Sequence, residues 1–292
     1  MKKSKSRILF LIVDYTILAF IGIVCLLPMW HVAMASVSDP ITVLKTDGVI
    51  LWPKGFNIEG YKLVFENANI LIGYMNTFLY VVAATVLGLI LTVLAGYVLS
   101  RKNFLWKNVL MFIFSFTMLF NGGIIPFYLV VNKIGMYDSR WALIVPGCFS
   151  VFNMIMMRTA MQSVPESLEE SARLDGAGHL TILFKIILPL CKSTLAVLTL
   201  YYAVAHWNAW FNASIFLRDR SKFPLQLFLR EILIQNSDTQ AQSAMELAYA
   251  ADLYRELVQY CTIMVATVPI LVIYPFVQKY FKSGVMVGAV KG

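Results

Sequence analysis

Charged residues are scarce in this sequence. Asp, Glu, Lys and Arg together make up 14% of its 292 residues, whereas a soluble domain carries about 25%. Hydrophobic residues make up 59%. This composition argues against an ordinary soluble domain and predicts a protein that crosses a membrane several times.

Cysteine and histidine are too few and too scattered to suggest a metal site or a disulfide framework. The four cysteines lie within or at the edge of apolar runs, and none forms a C-x-x-C pair. His31 and His179 have no partner at the spacing of metal ligands. We therefore predict small buried side chains for the cysteines, which are Cys25, Cys148, Cys191 and Cys261.

Motifs of nucleotide binding and hydrolysis are also absent. The sequence contains no G-x-x-x-x-G-K-[ST] phosphate cradle, and it contains none of the patterns H-E-x-x-H, G-x-S-x-G and S-x-x-K. If ATP drives this protein, another chain must bind the nucleotide. We predict no catalytic residue, metal ion or cofactor in the chain itself.

Long apolar runs are what the sequence has in abundance. Each bilayer-spanning helix requires about 20 mostly apolar residues. The first run, from Ile8 to Trp30, is longer than the roughly 7–15 apolar residues of a signal peptide, so we predict that it is an uncleaved span. Residues 1–292 are predicted to form one all-α membrane domain, with spans at 8–30, 73–98, 108–131, 141–161, 191–213 and 259–281.

Basic residues predict the orientation of these spans. With both termini in the cytosol, Lys and Arg are denser on the cytosolic side. All charged residues of the short turn 100–107 are basic. Segment 163–189, between spans four and five, is then cytosolic. Segments 31–72 and 214–258 lie outside and are long enough to meet an external partner.

Segment 163–189 is patterned as two short helices with a hinge. Ser163 and Glu166 have the spacing of a capping box, Gly176 suits a left-handed stop, and Asp175 is placed to cap a second helix that ends at Pro189. One interpretation is an amphipathic hairpin on the lipid surface. Its acidic residues favour a cytosolic protein partner instead, because an anionic leaflet would repel them.

The stretch EESARLDGAGHLTILFKIILP, residues 169–189, resembles the EAA loop of ABC importer permeases. Ser171 replaces the first Ala of that pattern, which exchanges one small residue for another. The resemblance implies that this loop couples to a cytosolic ATPase, through Glu169, Glu170, Ser171, Ala172, Asp175, Gly176, Ala177, Phe184 and Pro189.

Other stretches resemble the carbohydrate class of these permeases, and the smaller maltose-type subunit in particular. They are Trp207-Asn208, Asn76-Thr77 and the tail GVMVGAVKG, while NGGIIPFYLVV resembles the aldouronate and complex-polysaccharide branch. The resemblance implies a bacterial cytoplasmic membrane protein that works with a homologous second permease, two ATPase subunits that bind ATP and Mg²⁺, and an external solute-binding lipoprotein. It is not expected to be an enzyme.

The same resemblance implies two further contact regions. The tail is expected to reach the interface between the ATPases through Gly288, Ala289, Val290, Lys291 and Gly292. The external loop between spans five and six is expected to meet the solute-binding protein through its small polar tip, which includes Asp238, Thr239, Gln240, Ala241, Gln242 and Ser243.

Span five carries polar and aromatic residues that suit a path for sugars. Polar side chains within a span usually face the bundle interior or a watery cavity. Tyr202, His206 and Trp210 have the spacing i, i+4, i+8 of one helix face. The predicted path residues are Tyr201, Tyr202, His206, Asn208, Trp210, Asn212 and, in span two, Asn76. Packing between helices is the alternative role for all of them.

The sequence therefore predicts the membrane-spanning subunit of an ATP-driven oligosaccharide importer. A basic chain, with a net charge of +8, suits uronate-containing sugars, although the predicted topology already explains much of this charge. The alternatives are an importer permease for another solute class, an intramembrane enzyme, and a channel that does not use ATP.

Overall fold

The computed structural model describes residues 5–238 and 245–284, and in these residues it contains helices and no β-strand. This confirms the prediction of an all-α protein. The α-helices in chain order are α1 Lys5–Ala35, α2 Pro40–Leu44, α3 Glu59–Glu66, α4 Ala68–Ser100, α5 Lys107–Leu119, α6 Ile124–Lys133, α7 Trp141–Ile144, α8 Val151–Gln162, α9 Glu166–Leu174, α10 His179–Leu190, α11 Lys192–Trp207, α12 Phe211–Phe216, α13 Leu225–Asp238 and α14 Met245–Gly284.

Several of these helices are apolar and long enough to cross a membrane. By length and composition they are Ser6–Ala35, Ala68–Ser100 and the Glu256–Ile273 part of α14. Two further pairs are bent at a short break, α5 with α6 by 114° and α10 with α11 by 85°. If each bent pair is one span, the described residues contain up to five.

The predicted span 141–161 is not a continuous helix. α7 ends at Ile144 and α8 begins at Val151, where Ser150 caps it by accepting a hydrogen bond from a backbone N–H. Pro146 lies in this break and cannot donate the backbone hydrogen bond that a helix needs. The count of six spans and the cytosolic position of both termini remain predictions.

The chain divides into two compact units. The first consists of the chain up to Ile70 together with Glu231–Val268, and the second consists of Leu71–Arg230 together with the chain from Pro269. The prediction of one membrane domain for residues 1–292 is not tested by this division.

In the first unit, the end of α1 is held by polar contacts. The backbone carbonyl of Ser36 accepts a hydrogen bond from Cys261 Sγ at 3.3 Å, and its hydroxyl lies 2.8 Å from the hydroxyl of Tyr61. His31 Nδ1 accepts from the backbone N–H of Ile50 at 3.0 Å. The side chains of His31 and Cys261 therefore form hydrogen bonds that hold the chain around the end of α1. Of the cysteines predicted to be buried, Cys25 is exposed on the bare apolar surface of α1, whereas the other three are buried.

In the second unit, two of the apolar clusters among the described residues join helices that are distant in the sequence. One brings α4, α8, α10 and α11 together around Met157, Ile182 and Leu198, which are fully buried. The other joins α4 and α7 to α12 and to the start of α13 around Tyr80 and Phe228. Residues far apart in the sequence therefore pack against two stretches of the long helix α4, one around Tyr80 and one around Tyr97.

We expect a single added methyl group at Gly88 to disturb this packing. A Cβ at this position would lie 2.3 Å from the carbonyl oxygen of Cys148 and 3.1 Å from the ring of Tyr202. A backbone oxygen cannot move aside as a flexible side chain does, so Gly88→Ala should lower the thermal unfolding midpoint by several degrees. Gly22→Ala is the control, because nothing lies within 4 Å of that site. Equal midpoints for the two variants would contradict the close approach of α4 to Cys148.

Candidate functional site

Segment 163–189 has the predicted helix–hinge–helix form. α9 covers Glu166–Leu174, α10 begins at His179, and Gly176 between them has a φ of +80°. Its backbone N–H donates to the carbonyl of Arg173 at 3.0 Å, and the next N–H donates to Ala172 at 2.9 Å. These bonds close the last turn of α9 in the left-handed manner that glycine favours.

The predicted caps of the two helices are wrong. Ser163 is the C-cap of α8 and its hydroxyl donates to the carbonyl of Ala160 at 2.7 Å, so it is not available to α9. α9 begins after Pro165 and α10 after Gly178, and neither has a side-chain cap. Asp175 is the last residue of the α9 turn, too early in the chain to cap α10.

α10 contains a π-helical turn at Leu183–Ile187. Pro189, which follows it, has no backbone N–H, so the α-helical bond to the carbonyl four residues earlier is absent. A wider turn lets the helix continue to Leu190. It also divides the side chains of α10, since Leu183 and Ile187 are buried whereas Phe184 is exposed.

A buried ion pair fixes α9 against the turn that follows α4. The carboxylate of Glu169, only 7% exposed, pairs with the guanidinium of Arg101, and Arg173 Nη2 donates to its other oxygen at 2.7 Å. Arg101 also donates to the hydroxyl of Ser100 and lies over the ring of Tyr97 at 4.9 Å. Burial lowers the pKa of Arg101. The guanidinium stays protonated at neutral pH, because the ordinary pKa of an arginine side chain lies far above neutral pH.

A second, exposed pair joins the same two elements. Lys102 Nζ pairs with the carboxylate of Glu166 at the start of α9. This hydrogen bond raises the pKa of Lys102 and lowers the pKa of Glu166, so both stay charged near neutral pH. The basic turn 100–107, which the sequence indicated only as a sign of orientation, therefore holds the acidic helix directly.

These pairs leave one acid of α9 unused. Glu170 is exposed and has no ion-pair partner among residues 5–238 and 245–284. Ser171 and Asp175 are exposed too, whereas Ala172 is buried and Ala177 packs against the core. Members of the predicted coupling set therefore divide into a buried part that holds the segment and an exposed part.

Large apolar side chains are also exposed along α9 and α10. Leu168, Leu174, Leu180 and Phe184 have exposures of 43%, 90%, 66% and 54%. We call these four residues together with Glu170 the coupling face, because all five are exposed in segment 163–189, which is predicted to couple to an ATPase. Sequence reasoning missed Leu174, although an apolar residue directly before the Asp-Gly stop was a usable signal.

Span five is broken at the residues predicted to line a path. α11 ends at Trp207 and α12 begins at Phe211. Tyr202 and His206 are buried on α11, as one helix face predicts. The prediction that Trp210 shares this face is wrong, because the break at 208–210 interrupts the helical phase.

Tyr202 and His206 both reach the break between α7 and α8. The hydroxyl of Tyr202 lies 2.7 Å from the hydroxyl of Thr92 and accepts from the backbone N–H of Ser150 at 3.0 Å. The ring of His206 lies close enough to Gly147 that an added Cβ there would be 3.1 Å away. His206 Nε2 is buried without a hydrogen-bond partner in the described part of the chain.

The other predicted path residues of span five are more accessible. Tyr201 is exposed and its ring lies 6.5 Å from that of Phe152. Asn208 is exposed, and its amide donates to the carbonyl of Val204 at 3.0 Å. Asn212 is half-buried at the start of α12.

Asn76 lies elsewhere, in the first third of α4. Its amide donates to the carbonyls of Ser221 and Phe223 at 2.7 and 3.1 Å, and its oxygen accepts from Arg140 at 3.2 Å. Both donors and the acceptor are thus occupied. Thr92, the partner of Tyr202, is about 24 Å further along the helix, so the structure separates Asn76 from the buried face of α11.

Asp138 supplies a second tie to the turn at 216–223 that Asn76 holds, and sequence reasoning missed it. Its carboxylate accepts from the backbone N–H groups of Arg218 and Asp219, each at 3.1 Å, and its φ is 52°. These two bonds hold the pKa of Asp138 below its usual value. Lys222 Nζ donates to its backbone carbonyl at 2.7 Å.

Two predicted contact regions lie outside the described residues. They are the tail, Gly288, Ala289, Val290, Lys291 and Gly292, and all of the external tip except Asp238, which ends α13. In the part of the chain that the structure describes, no group of three or more His, Cys, Asp or Glu residues is arranged to hold a metal ion.

Comparison with known proteins gives a consistent set of relatives. Residues 84–251 match the family described as the binding-protein-dependent transport system inner membrane component. The chain is 38% identical, over 99% of its length and all of the relative's, to the polygalacturonan/rhamnogalacturonan transport system permease protein YtcP of Bacillus subtilis. It is 29% identical to the maltodextrin transport system permease protein MdxG of the same organism, over the full length of both chains.

A solved structure is similar over nearly the whole chain. It is a chain of a bacterial ABC transporter involved in the import of the acidic polysaccharide alginate. The TM-score is 0.84 at 33% sequence identity, and the match covers 96% of this chain and 99% of the other.

The buried ion pair predicts a large effect of one neutralising substitution. Glu169→Gln leaves Arg101 and Arg173 without their shared carboxylate, in a site that is mostly shielded from water. We expect the free energy of unfolding to fall by about 2 kcal/mol and the thermal midpoint to fall by several degrees. Glu170→Gln, one residue later and exposed, is the matched control and should leave the midpoint unchanged. If both variants unfold like the parent, Glu169 does not hold the segment.

Proposed function

Because this chain belongs to the family of binding-protein-dependent transport system inner membrane components, we propose that it imports a uronate-containing oligosaccharide and receives the energy of ATP hydrolysis at its coupling face. The class of the protein is established by its relatives. It is a permease of an oligosaccharide ABC importer in the cytoplasmic membrane, and it is not an enzyme. These sequence-based predictions are confirmed.

A permease of this kind works with a partner permease, an ATPase and a substrate-binding protein. The finer arrangement belongs to the proposal. It comprises a homologous second permease, two ATPase subunits that bind ATP and Mg²⁺, and an external lipoprotein that delivers the sugar. ATP is assigned to the partners because this sequence has no phosphate-binding loop.

The coupling face is the observation that carries the coupling role. Exposed Leu and Phe side chains together with an exposed carboxylate in one segment have the composition of a protein contact, in which apolar anchors are accompanied by a charge. The free carboxylate of Glu170 suits a basic residue of the partner. A lipid surface fits this face poorly, since an anionic leaflet repels Glu170 and Asp175.

The ion pair behind this face suits the transmission of force. Glu169 binds α9 to Arg101, directly after the long helix α4. His179, at the start of α10, lies 3.4 Å from the hydroxyl of Tyr97, also on α4. A displacement of the coupling face therefore moves the end of α4 with it, because both halves of the segment are tied to that helix.

The sugar path is proposed to follow the breaks in the helices. Irregular backbone at membrane depth is tolerated where it is packed in protein or lines a watery cavity. Tyr202 and His206 meet the α7–α8 break, and His206 Nε2 has no hydrogen-bond partner in the described residues. Accessible Tyr201, Asn208 and Asn212 offer ring faces and amides to a sugar.

Asn76 supports the path from outside, by holding the outer turn. Two contacts expected from the resemblance complete the proposal. The external tip, Asp238 to Ser243, meets the substrate-binding protein, and the tail, Gly288 to Gly292, reaches the ATPase interface.

The proposed solute class rests on two similar proteins that are named for the transport of acidic polysaccharides. One relative is named for polygalacturonan and rhamnogalacturonan, and the matching solved structure belongs to an importer of alginate. A neutral oligosaccharide is the second candidate, because the maltodextrin permease MdxG also matches the full length of the chain.

Substitution of Leu174 tests the coupling face. This side chain is 90% exposed, so Leu174→Ser should leave folding and membrane insertion unchanged. Loss of an apolar anchor of an interface should reduce ATP hydrolysis stimulated by the loaded binding protein about tenfold when the ATPase is limiting. Hydrolysis is measured in proteoliposomes that contain the complete importer.

Leu105→Ser is the matched control, because Leu105 is 94% exposed in the neighbouring turn 100–107. It should retain most of the stimulated hydrolysis. An equal loss in both variants, or full stimulation in Leu174→Ser, would show that segment 163–189 is not the site of coupling.

Uptake of defined sugars tests the solute class. The complete importer should accumulate radiolabelled trigalacturonate inside proteoliposomes when ATP and the binding protein are present. A hundredfold excess of unlabelled maltotriose should not reduce this uptake. If maltotriose accumulates and trigalacturonate does not, the importer serves neutral oligosaccharides.

A further inference from the structure

Arg230 lies over the ring of Trp210. The central carbon of its guanidinium group is 4.1 Å from the ring centroid, which is a close cation–π contact. Phe211 meets the same ring edge-on at a centroid distance of 5.5 Å. Trp210 belongs to the break at 208–210, so contacts from α12 and α13 define the position of its ring there.

The guanidinium of Arg230 has no carboxylate partner among the described residues. Other cations of the same unit do, since Lys222 lies 3.4 Å from carboxylate oxygens of both Asp138 and Asp219. Arg230 is exposed, whereas Phe228 and Leu229 before it are buried and anchor α13. A half-buried aromatic ring therefore carries an exposed cation.

This pair matches the chemistry of a uronate ring. A guanidinium binds a carboxylate through two parallel hydrogen bonds, and it does so most favourably when its plane is already held in position. An aromatic ring offers an apolar face to the C–H groups of the sugar. A neutral hexose would gain from the ring but not from the guanidinium, so the pair distinguishes acidic from neutral sugars.

Their positions in the sequence place Arg230 and Trp210 at the predicted external end of the proposed sugar path. Arg230 lies in segment 214–258, which the distribution of basic residues predicts to be external. Trp210 directly follows α11, the helix that carries Tyr202 and His206. A sugar released by the binding protein would meet Arg230 and Trp210 before it reached these deeper residues.

We propose that Arg230, held on Trp210, is a specificity-determining residue that binds the carboxylate of a uronate-containing oligosaccharide as it enters the permease. This inference rests on the proposed function, because it assumes that the solute passes along α11 and carries a carboxylate. It adds the residue that selects for the charge.

The test compares trigalacturonate with its fully methyl-esterified form, which has the same rings but no charge. Initial uptake rates of both are measured in proteoliposomes that contain the complete importer. Arg230→Gln should lower the ratio of acid to ester uptake about tenfold, through loss of a charge-assisted bidentate contact. Arg230→Lys keeps the charge but not the fork of donors, and it should give an intermediate ratio.

Arg218→Gln is the matched control. Arg218 is also exposed in the predicted external segment and also lies over an aromatic ring, that of Tyr137 at 5.5 Å. The Arg218→Gln substitution removes the same charge and should leave the ratio of acid to ester uptake unchanged. An equal fall in both variants would mean that the general positive potential, and not Arg230, attracts the acid, and this would overturn the proposal.

Two other outcomes would also overturn it. An unchanged ratio in Arg230→Gln, with complex yield equal to the parent, would show that Arg230 does not read the carboxylate. An equal loss of acid and ester uptake, reversed by a higher concentration of binding protein, would assign Arg230 to binding-protein docking. Failure of the proposed function is distinguishable, because the parent importer would then move the ester and not the acid.

Discussion

The ion pair between Glu169 and Arg101 is the contact on which segment 163–189 of this permease depends. It is mostly buried, and its partners come from α9 and from the turn after α4. In such a site, a carboxylate without its cations would be costly, so the pair forces the two elements to stay together. Because Glu169 and Glu166 are engaged in ion pairs, Glu170 is the acid of α9 left exposed without such a pair among the described residues. The acid available on the coupling face is thus the one that forms no ion pair within the described part of the chain.

Breaks in helices place the remaining functional groups. The interruption between α7 and α8 receives Tyr202 and His206, and the interruption after α11 directs Trp210 away from them to Arg230. Free backbone groups at these positions need partners, and the hydroxyl of Tyr202 supplies one by accepting from Ser150. Polar side chains in the spans therefore have two roles at once, since they satisfy irregular backbone and leave a few groups available.

On the predicted outer side, Asn76 and Asp138 also bind irregular backbone with their side chains. Each holds the turn at 216–223 by bonds to its backbone, and neither bond set involves a residue close in sequence. This turn leads into α13, which carries Arg230. The position of Arg230 over Trp210 is consequently set by polar ties to α4 and to the chain before α7, well outside the local sequence.

Several properties followed from the sequence by itself. Apolar runs predicted an all-α membrane protein and Gly176 predicted the stop of α9, because these depend on composition or on one residue's backbone preference. Only the tertiary structure decided which acids of α9 lie outside ion pairs, that Ser163 and Asp175 do not cap the starts of α9 and α10, and that a break separates Trp210 from the helix of Tyr202. Ion pairs across about 70 residues and helix breaks stabilised by distant partners depend on packing in three dimensions, which helical periodicity along the chain does not encode.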